Sequence, residues 1–240
     1  MLDTLLLIGL APVLLWQGRN VRRGTLRLPE AAGARYGQVG RGPALRILLL
    51  GDSSAAGVGV SQQEQALAGQ LSKQLSQDYQ VSWQLLAESG ITLQQLLAKL
   101  DEVRGQYDVA VLAVGVNDVT AGTKDAVWVA QLQALRARLT AEFKVRNILV
   151  SAVPPMQHFT ALPRPLSDYL GRRARRLNAL TTRLAKQTAE LTFMPIELGV
   201  SPQMLAADGF HPSAIAYDLW AQQVVAQLKS CSDTSQISNK

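Results

Sequence analysis

From Ala44 onward, short continuous apolar runs alternate with longer stretches in which leucine recurs at helical spacing. Residues 47–50 are all apolar and end at Gly51, as expected of a strand buried on both faces. Over 63–77, Leu67, Leu71 and Leu75 fall on one helical stripe. The alternation then repeats, predicting a strand over 81–87 and a helix over 92–103 with Leu93, Leu96, Leu97 and Leu100 inward. A third strand over 109–114, a helix over 125–143 and a fourth strand over 147–153 follow. After a loop with Pro154, Pro155, Pro163 and Pro165 come a helix over 166–190 and a short fifth strand over 191–194. The last helix is expected from Pro212, tolerated in a first turn, to Leu228, with a polar, frayed tail after Lys229. Strands alternating with helices predict an α/β fold, a parallel sheet covered on both faces by right-handed crossovers. Such sheets bind ligands beyond the carboxyl ends of their strands. The loops opening at Gly51, Glu88, Gly115, Pro154 and Ser201 are therefore where chemistry is expected.

The region before Ala44 reads differently. Residues 2–16 are apolar apart from Asp3, and Arg19, Arg22 and Arg23 follow at once. A secretory signal has its positive charges ahead of the apolar stretch and a small-residue cleavage site behind it, so this segment has the wrong polarity. As a helix it reaches only about 22 Å against a hydrocarbon core of about 30 Å, and Pro12 interrupts it. Residues 1–17 are thus a short anchor, a helix lying on a membrane surface, or a helix packed on the domain or on a partner. The charges that follow would keep the main domain on the cytoplasmic side if the segment spans, with the periplasm as the second location. Residues 18–43, rich in Gly, Arg and Pro without periodicity, read as a connector. That leaves 44–229 as one domain and 230–240 as the tail.

Composition narrows the function classes. At 240 residues with 48% hydrophobic and 18% charged residues, the chain suits one packed domain. The net charge of +6 lacks the basic runs interleaved with aromatics that serve single-stranded nucleic acid, so no nucleic-acid partner is expected. One cysteine, Cys231, excludes an internal disulfide and a thiolate-cluster zinc site. Two histidines, His158 and His211, make a multi-histidine metal site improbable on composition, and no cofactor is expected.

The loop after the first strand is Gly51-Asp52-Ser53-Ser54-Ala55-Ala56-Gly57-Val58-Gly59. It matches neither dinucleotide nor P-loop patterns, and no Lys or Arg lies between Arg46 and Lys73 to meet a phosphate. The α/β-hydrolase elbow is absent because position 55 is Ala. Ser53 remains a candidate nucleophile, and a serine needs a base. His211, in Asp208-Gly209-Phe210-His211, can be that base, with Asp208 reaching Nδ1 and leaving Nε2 for the serine. D-x-x-H on its own is a common pattern that reads first as a capping Asp beside a surface His. Gly90 can offer an unobstructed N–H and Asn117 a side-chain amide to a developing oxyanion. Taken alone, each reads first as an ordinary turn residue, a turn glycine and an Asx turn capping the next helix. His158, in the Pro-rich loop, lies at the active edge of the sheet, either lining an acyl pocket or exposed. Arg172, Arg173, Arg175 and Arg176 form a basic cluster, either a lipid-facing patch or a solvated face. Trp83, Trp128 and Trp220 read as packing residues.

Together, Gly51-Asp52-Ser53-Ser54, Gly90, Gly115-Val116-Asn117-Asp118 and Asp208-Gly209-Phe210-His211 stand in the order found in the SGNH hydrolases, also called the GDSL family, which this chain resembles from about Ala44 to Leu228. Ser54 departs from the Leu or Ile more usual there, and Gly115-Val116 is a variation within the third block. The resemblance implies a flavodoxin-like three-layer α/β/α domain with a mostly parallel, five-stranded sheet. It implies Ser53 as nucleophile, His211 as base and Asp208 as its orienting acid. The oxyanion hole would be the Ser53 and Gly90 N–H groups and the Asn117 side chain, and the substrate a small-molecule ester. The implied activity is carboxylic ester hydrolysis with a lipid-like, lysophospholipase or thioesterase range. A carbohydrate O-deacetylase and a non-catalytic binding protein on the same fold are the alternatives.

Overall fold

The computed structural model describes residues 2–197 and 201–237. Met1 and the last three residues of the expected tail lie outside the described residues, as do the side chains of 2–8 and 231–237, Cys231 among them. The chain opens with α1 (Leu2–Gly24), and then β1 (Tyr36–Val39), β2 (Ala44–Gly51) and α2 (Leu67–Leu75) follow. β3 (Gln80–Ala87), α3 (Leu93–Ala98), β4 (Val109–Ala113), α4 (Val116–Ala121) and α5 (Asp125–Ala141) come next. β5 (Asn147–Ser151), α6 (Leu166–Ala185), β6 (Leu191–Met194) and α7 (Ala214–Ile237) complete it.

The sheet order is β1-β3-β2-β4-β5-β6. The strands from β3 to β6 are mutually parallel and follow the flavodoxin-like winding. Side chains alternate faces along each parallel strand. Leu48, Leu50, Ala110, Leu112, Ile148 and Val150 face a core shared with α3, α5 and α6. Ile47, Leu49, Val109, Val111 and Leu149 face the opposite core, with α2 and α7. Two apolar faces, each roofed by helices, make the three layers.

Four features differ from the sequence reading. The sheet has a sixth strand, because Tyr36–Val39 pairs antiparallel with β3 inside the segment read as a connector. An edge strand with mostly exposed side chains carries no apolar alternation to betray it. α1 runs through Pro12 and Gly18 to Gly24, since Pro12 is exposed and the carbonyl it leaves unpaired can meet water. α4 occupies part of the third loop. α7 continues to Ile237, there being no Gly or Pro after Pro212 to end it. Among the described residues, no helix is long and apolar enough to cross a membrane.

α1 is held in place on the domain. Its buried Gln17 donates to the Arg164 carbonyl (2.7 Å) and accepts from the Leu166 N–H (3.1 Å), clamping it to the start of α6. Leu14 and Val21 pack against the core beside it.

Candidate active site

The winding of the sheet reverses between β2 and β4, so the loops after these strands open a crevice. β2 delivers Ser53 to that crevice. The Asp52 N–H donates to the Ala113 carbonyl of β4 at 3.0 Å. The Ala56 and Val58 N–H groups then close turns onto the Asp52 and Ser53 carbonyls, at 2.9 and 3.0 Å. The far end of this loop is seated on the loop that carries His211. Gly59 has φ +112°, and a Cβ there would stand 2.2 Å from the Pro212 carbonyl, so only glycine permits the approach. From α7, the buried Tyr217 hydroxyl donates to the Val58 carbonyl at 2.8 Å.

These contacts bring two residues 158 positions apart into hydrogen-bond range, His211 Nε2 lying 2.9 Å from Ser53 Oγ. On the other side of the ring, Nδ1 lies 2.5 Å from Asp208 Oδ2. Asp208 Oδ1 accepts the Phe210 and His211 N–H groups, each at 3.0 Å. Burial pushes the Asp208 carboxyl up, but the His211 side chain and these two N–H donors outweigh it and leave it below its usual value. A charged Asp208 accepts a hydrogen bond from Nδ1–H, which keeps that proton on Nδ1 and leaves the Nε2 lone pair for the serine hydroxyl.

Gly90 and Asn117 flank the same crevice. Gly90 has φ +87°, with no atom within 4 Å of where a Cβ would be. Here the backbone conformation, not crowding, asks for glycine. Asn117, in the first turn of α4, donates from Nδ2 to the Ile91 carbonyl at 3.0 Å, and the same nitrogen lies 3.5 Å from Asp52 Oδ2. Its neighbour Asp118 accepts the Leu93 N–H and the Thr123 hydroxyl, each at 3.0 Å, tying the start of α3 to α4. Asp52 is fully buried. Burial drives its carboxyl up to about 6, against the pull of the hydrogen bonds from the Ser54 N–H (3.1 Å) and hydroxyl (2.9 Å).

Ser53, Gly90, Asn117, Asp208 and His211 all line one cavity of about 940 Å³, walled on its far side by α1 and the chain leaving it. A second cavity of about 480 Å³ meets it at Ser53 and His211, bounded by Val114, Phe159, Leu205 and Trp220. His158 lines this second cavity. Of the α6 arginines, Arg173 and Arg176 are committed to Asp125, at 3.4 and 2.7 Å. Trp128 and Trp220 are buried, donating their indole N–H groups to Thr181 and Ser151.

Sequence reasoning missed one component. Glu30, within the supposed connector, accepts the Ser89 N–H at 2.7 Å from a residue 59 positions away. It also pairs with Arg35, which donates to the Ala87 carbonyl at 2.6 Å. The segment thus straps down the loop that carries Gly90. Nothing in the order of residues marks this link, because an acidic side chain in a Gly/Arg/Pro stretch has no pattern of its own.

A family model for the GDSL-like lipase/acylhydrolase family matches residues 49–219, most of the chain. The chain belongs to this family. A GDSL-like esterase of Mycobacterium tuberculosis is 27% identical over 201 residues, covering 77% of this GDSL-family chain. The chain spans 62% of the length of that relative. Among solved structures, TesA superposes with a TM-score of 0.62 at 23% identity, covering 77% of this chain and 98% of its own. A Clostridium thermocellum family 3 carbohydrate esterase gives a TM-score of 0.61 at 16% identity, covering 78% and 98%. These likenesses establish the α/β/α fold. The family match begins at residue 49, so α1 and the Glu30 strap lie outside it.

Proposed function

We propose that this GDSL-family protein is a serine esterase that cleaves carboxylic esters through an acyl-enzyme on Ser53. The observation that carries the reading is the line from Asp208 Oδ2 to His211 Nδ1 and from Nε2 to Ser53 Oγ, at 2.5 and 2.9 Å. In this mechanism Ser53 Oγ attacks the ester carbonyl as its proton passes to His211 Nε2. The negative oxygen is met by the Ser53 and Gly90 N–H groups and the Asn117 amide. As the tetrahedral intermediate collapses, His211 protonates the leaving alcohol, and the acyl group stays on Ser53. Water then attacks that acyl group with His211 again as base, releasing the acid and restoring Ser53.

The walls of the site favour a lipid-like acyl group. Val114, Phe159, Leu205 and Trp220 bound one cavity, and Leu14, Leu162, Leu166 and Phe210 contribute to the other. A carbohydrate O-deacetylase would use the same three residues but has little need of so much apolar wall. Hydrolysis of p-nitrophenyl esters of graded chain length tests the proposal. Wild type should turn them over, with the optimum at medium rather than acetyl length. Ser53→Ala and His211→Ala should lose nearly the same, large factor, because the two act as a unit. Asn117→Ala should lose on the order of 100-fold in kcat, as for one oxyanion donor. A Ser53→Ala protein as active as wild type would end the proposal.

A further inference from the structure

The two cavities meet at the reacting serine, and four of the described residues line both: Ser53, Val116, Phe210 and His211. Ser53 and His211 have their parts in the chemistry already described. Val116 and Phe210 are apolar and have none. Val116 is the first residue of α4, and Phe210 lies between the two polar residues of the Asp208–His211 loop. At the junction of two cavities, an apolar side chain without a role in the reaction is placed to decide what passes from one to the other.

The position of Phe210 is closely set. Its N–H donates to Asp208 Oδ1 at 3.0 Å, and the neighbouring Gly209 carbonyl accepts from the Ala161 N–H at 3.2 Å. The ring lies against the buried Phe159, with centroids 4.6 Å apart and planes at 54°. It also lies edge-on to the His211 imidazole, at 5.3 Å and 61°. Both are inclined arrangements of the kind aromatic rings prefer. Even so the residue is only half-buried, since it fronts both cavities. The smaller cavity, about 480 Å³, is bounded by Val114, Phe159, Ile196, Leu205 and Trp220. The larger, about 940 Å³, holds Gly90 and Asn117 and meets water past the exposed Arg19 and Arg22.

We infer that Phe210, together with Val116, is a specificity-determining divider that keeps the two arms of an ester in separate cavities, the acyl chain in the smaller and the alcohol in the larger. This rests on the esterase reading and adds which arm goes where. The order of the reaction assigns the arms. Once the alcohol has left, water must reach the acyl carbon from the place the alcohol vacated, and the larger cavity is the one that meets water. The acyl chain stays bound through that step, so it belongs where the walls are apolar. Without a divider the two cavities become one cleft, which accepts a long chain on either side of the ester bond. Phe210 itself makes and breaks no bond and carries no proton.

The test compares ethyl octanoate with octyl acetate, isomers that differ only in which side of the ester bond bears the long chain, on the full-length protein with acid release as the readout. Wild type should favour ethyl octanoate about tenfold or more in kcat/KM, the order of discrimination that apolar pocket fit provides. Phe210→Ala should bring that ratio down to about twofold or less, with Phe210→Leu in between. Val116→Ala, which leaves every hydrogen bond of His211 in place, should lower the ratio in the same direction and keeps the test open should Phe210→Ala fail to fold. A ring that only braced His211 would slow both isomers by one factor and leave the ratio where it was. That result, or a wild type that cleaves the isomers equally or prefers octyl acetate, overturns the inference and leaves the esterase standing. Hydrolysis of neither isomer, nor of any p-nitrophenyl ester, overturns both.

Discussion

Glu30 offers a test of how the loop that carries Gly90, the proposed oxyanion donor, is held. Its Oε1 takes the Ser89 N–H at 2.7 Å, and its other oxygen pairs with Arg35. A hydrogen bond to a charged group is worth about 1.5–3 kcal/mol when shielded. The Glu30 and Arg35 side chains are 30% and 38% exposed, which brings the expected contribution down to about 1 kcal/mol. Glu30→Ala should therefore lower Tm by about 2–4 °C, since a domain of this size shifts by that much per kcal/mol. The kinetic effect should be the larger one. Outright loss of an oxyanion donor costs about 10²–10³ in kcat, and freeing the residue before Gly90 misplaces that donor without removing it. We expect kcat to fall about tenfold with KM little changed, a fraction of the full donor loss. Glu30→Gln keeps an acceptor for the Ser89 N–H and should recover most of that kcat. Steady-state hydrolysis of a p-nitrophenyl ester, with thermal melts of the same preparations, measures both. A Glu30→Ala enzyme with lowered Tm but wild-type kcat, or a Gln variant no better than Ala, would refute the positioning role.

Two further predictions follow from buried groups. The Asp52 carboxyl sits near pH 6 in the folded chain against an ordinary value of 3.8, so its contribution to stability is fully present below about pH 4 and is lost as pH rises through 6. The loss amounts to about 3 kcal/mol over that window, so urea unfolding should show less pH dependence between 4 and 7 in Asp52→Asn than in wild type; equal slopes would contradict it. Asp208 has the opposite sign, its contribution being present above about pH 4 and lost on acidification. Tyr217→Phe strands the buried Val58 carbonyl and should cost about 1–3 kcal/mol, lowering Tm by several degrees in a thermal melt. An unchanged Tm would mean that this carbonyl finds another partner.

The order of residues alone determined the strand–helix alternation from Ala44 onward and the flavodoxin-like winding that its resemblance implied. It did so because burial on both faces forces continuous apolar runs in strands, and burial on one face forces a helical stripe. It also singled out Ser53, Gly90, Asn117, Asp208 and His211, not one by one, since each alone passes for a turn or capping residue, but through the resemblance of their four blocks, in order, to the GDSL family. The tertiary structure decided what has no local signature. β1 is an exposed edge whose partner lies on β3, and the docking of α1 depends on a Gln17 clamp to a turn 147 residues away. Glu30 reaches Ser89 only because β1 and the segment before it fold back across the crevice. Such contacts join residues distant in the chain through single polar side chains. Periodicity records which face of an element is buried, and it carries no trace of the one remote atom a side chain will meet.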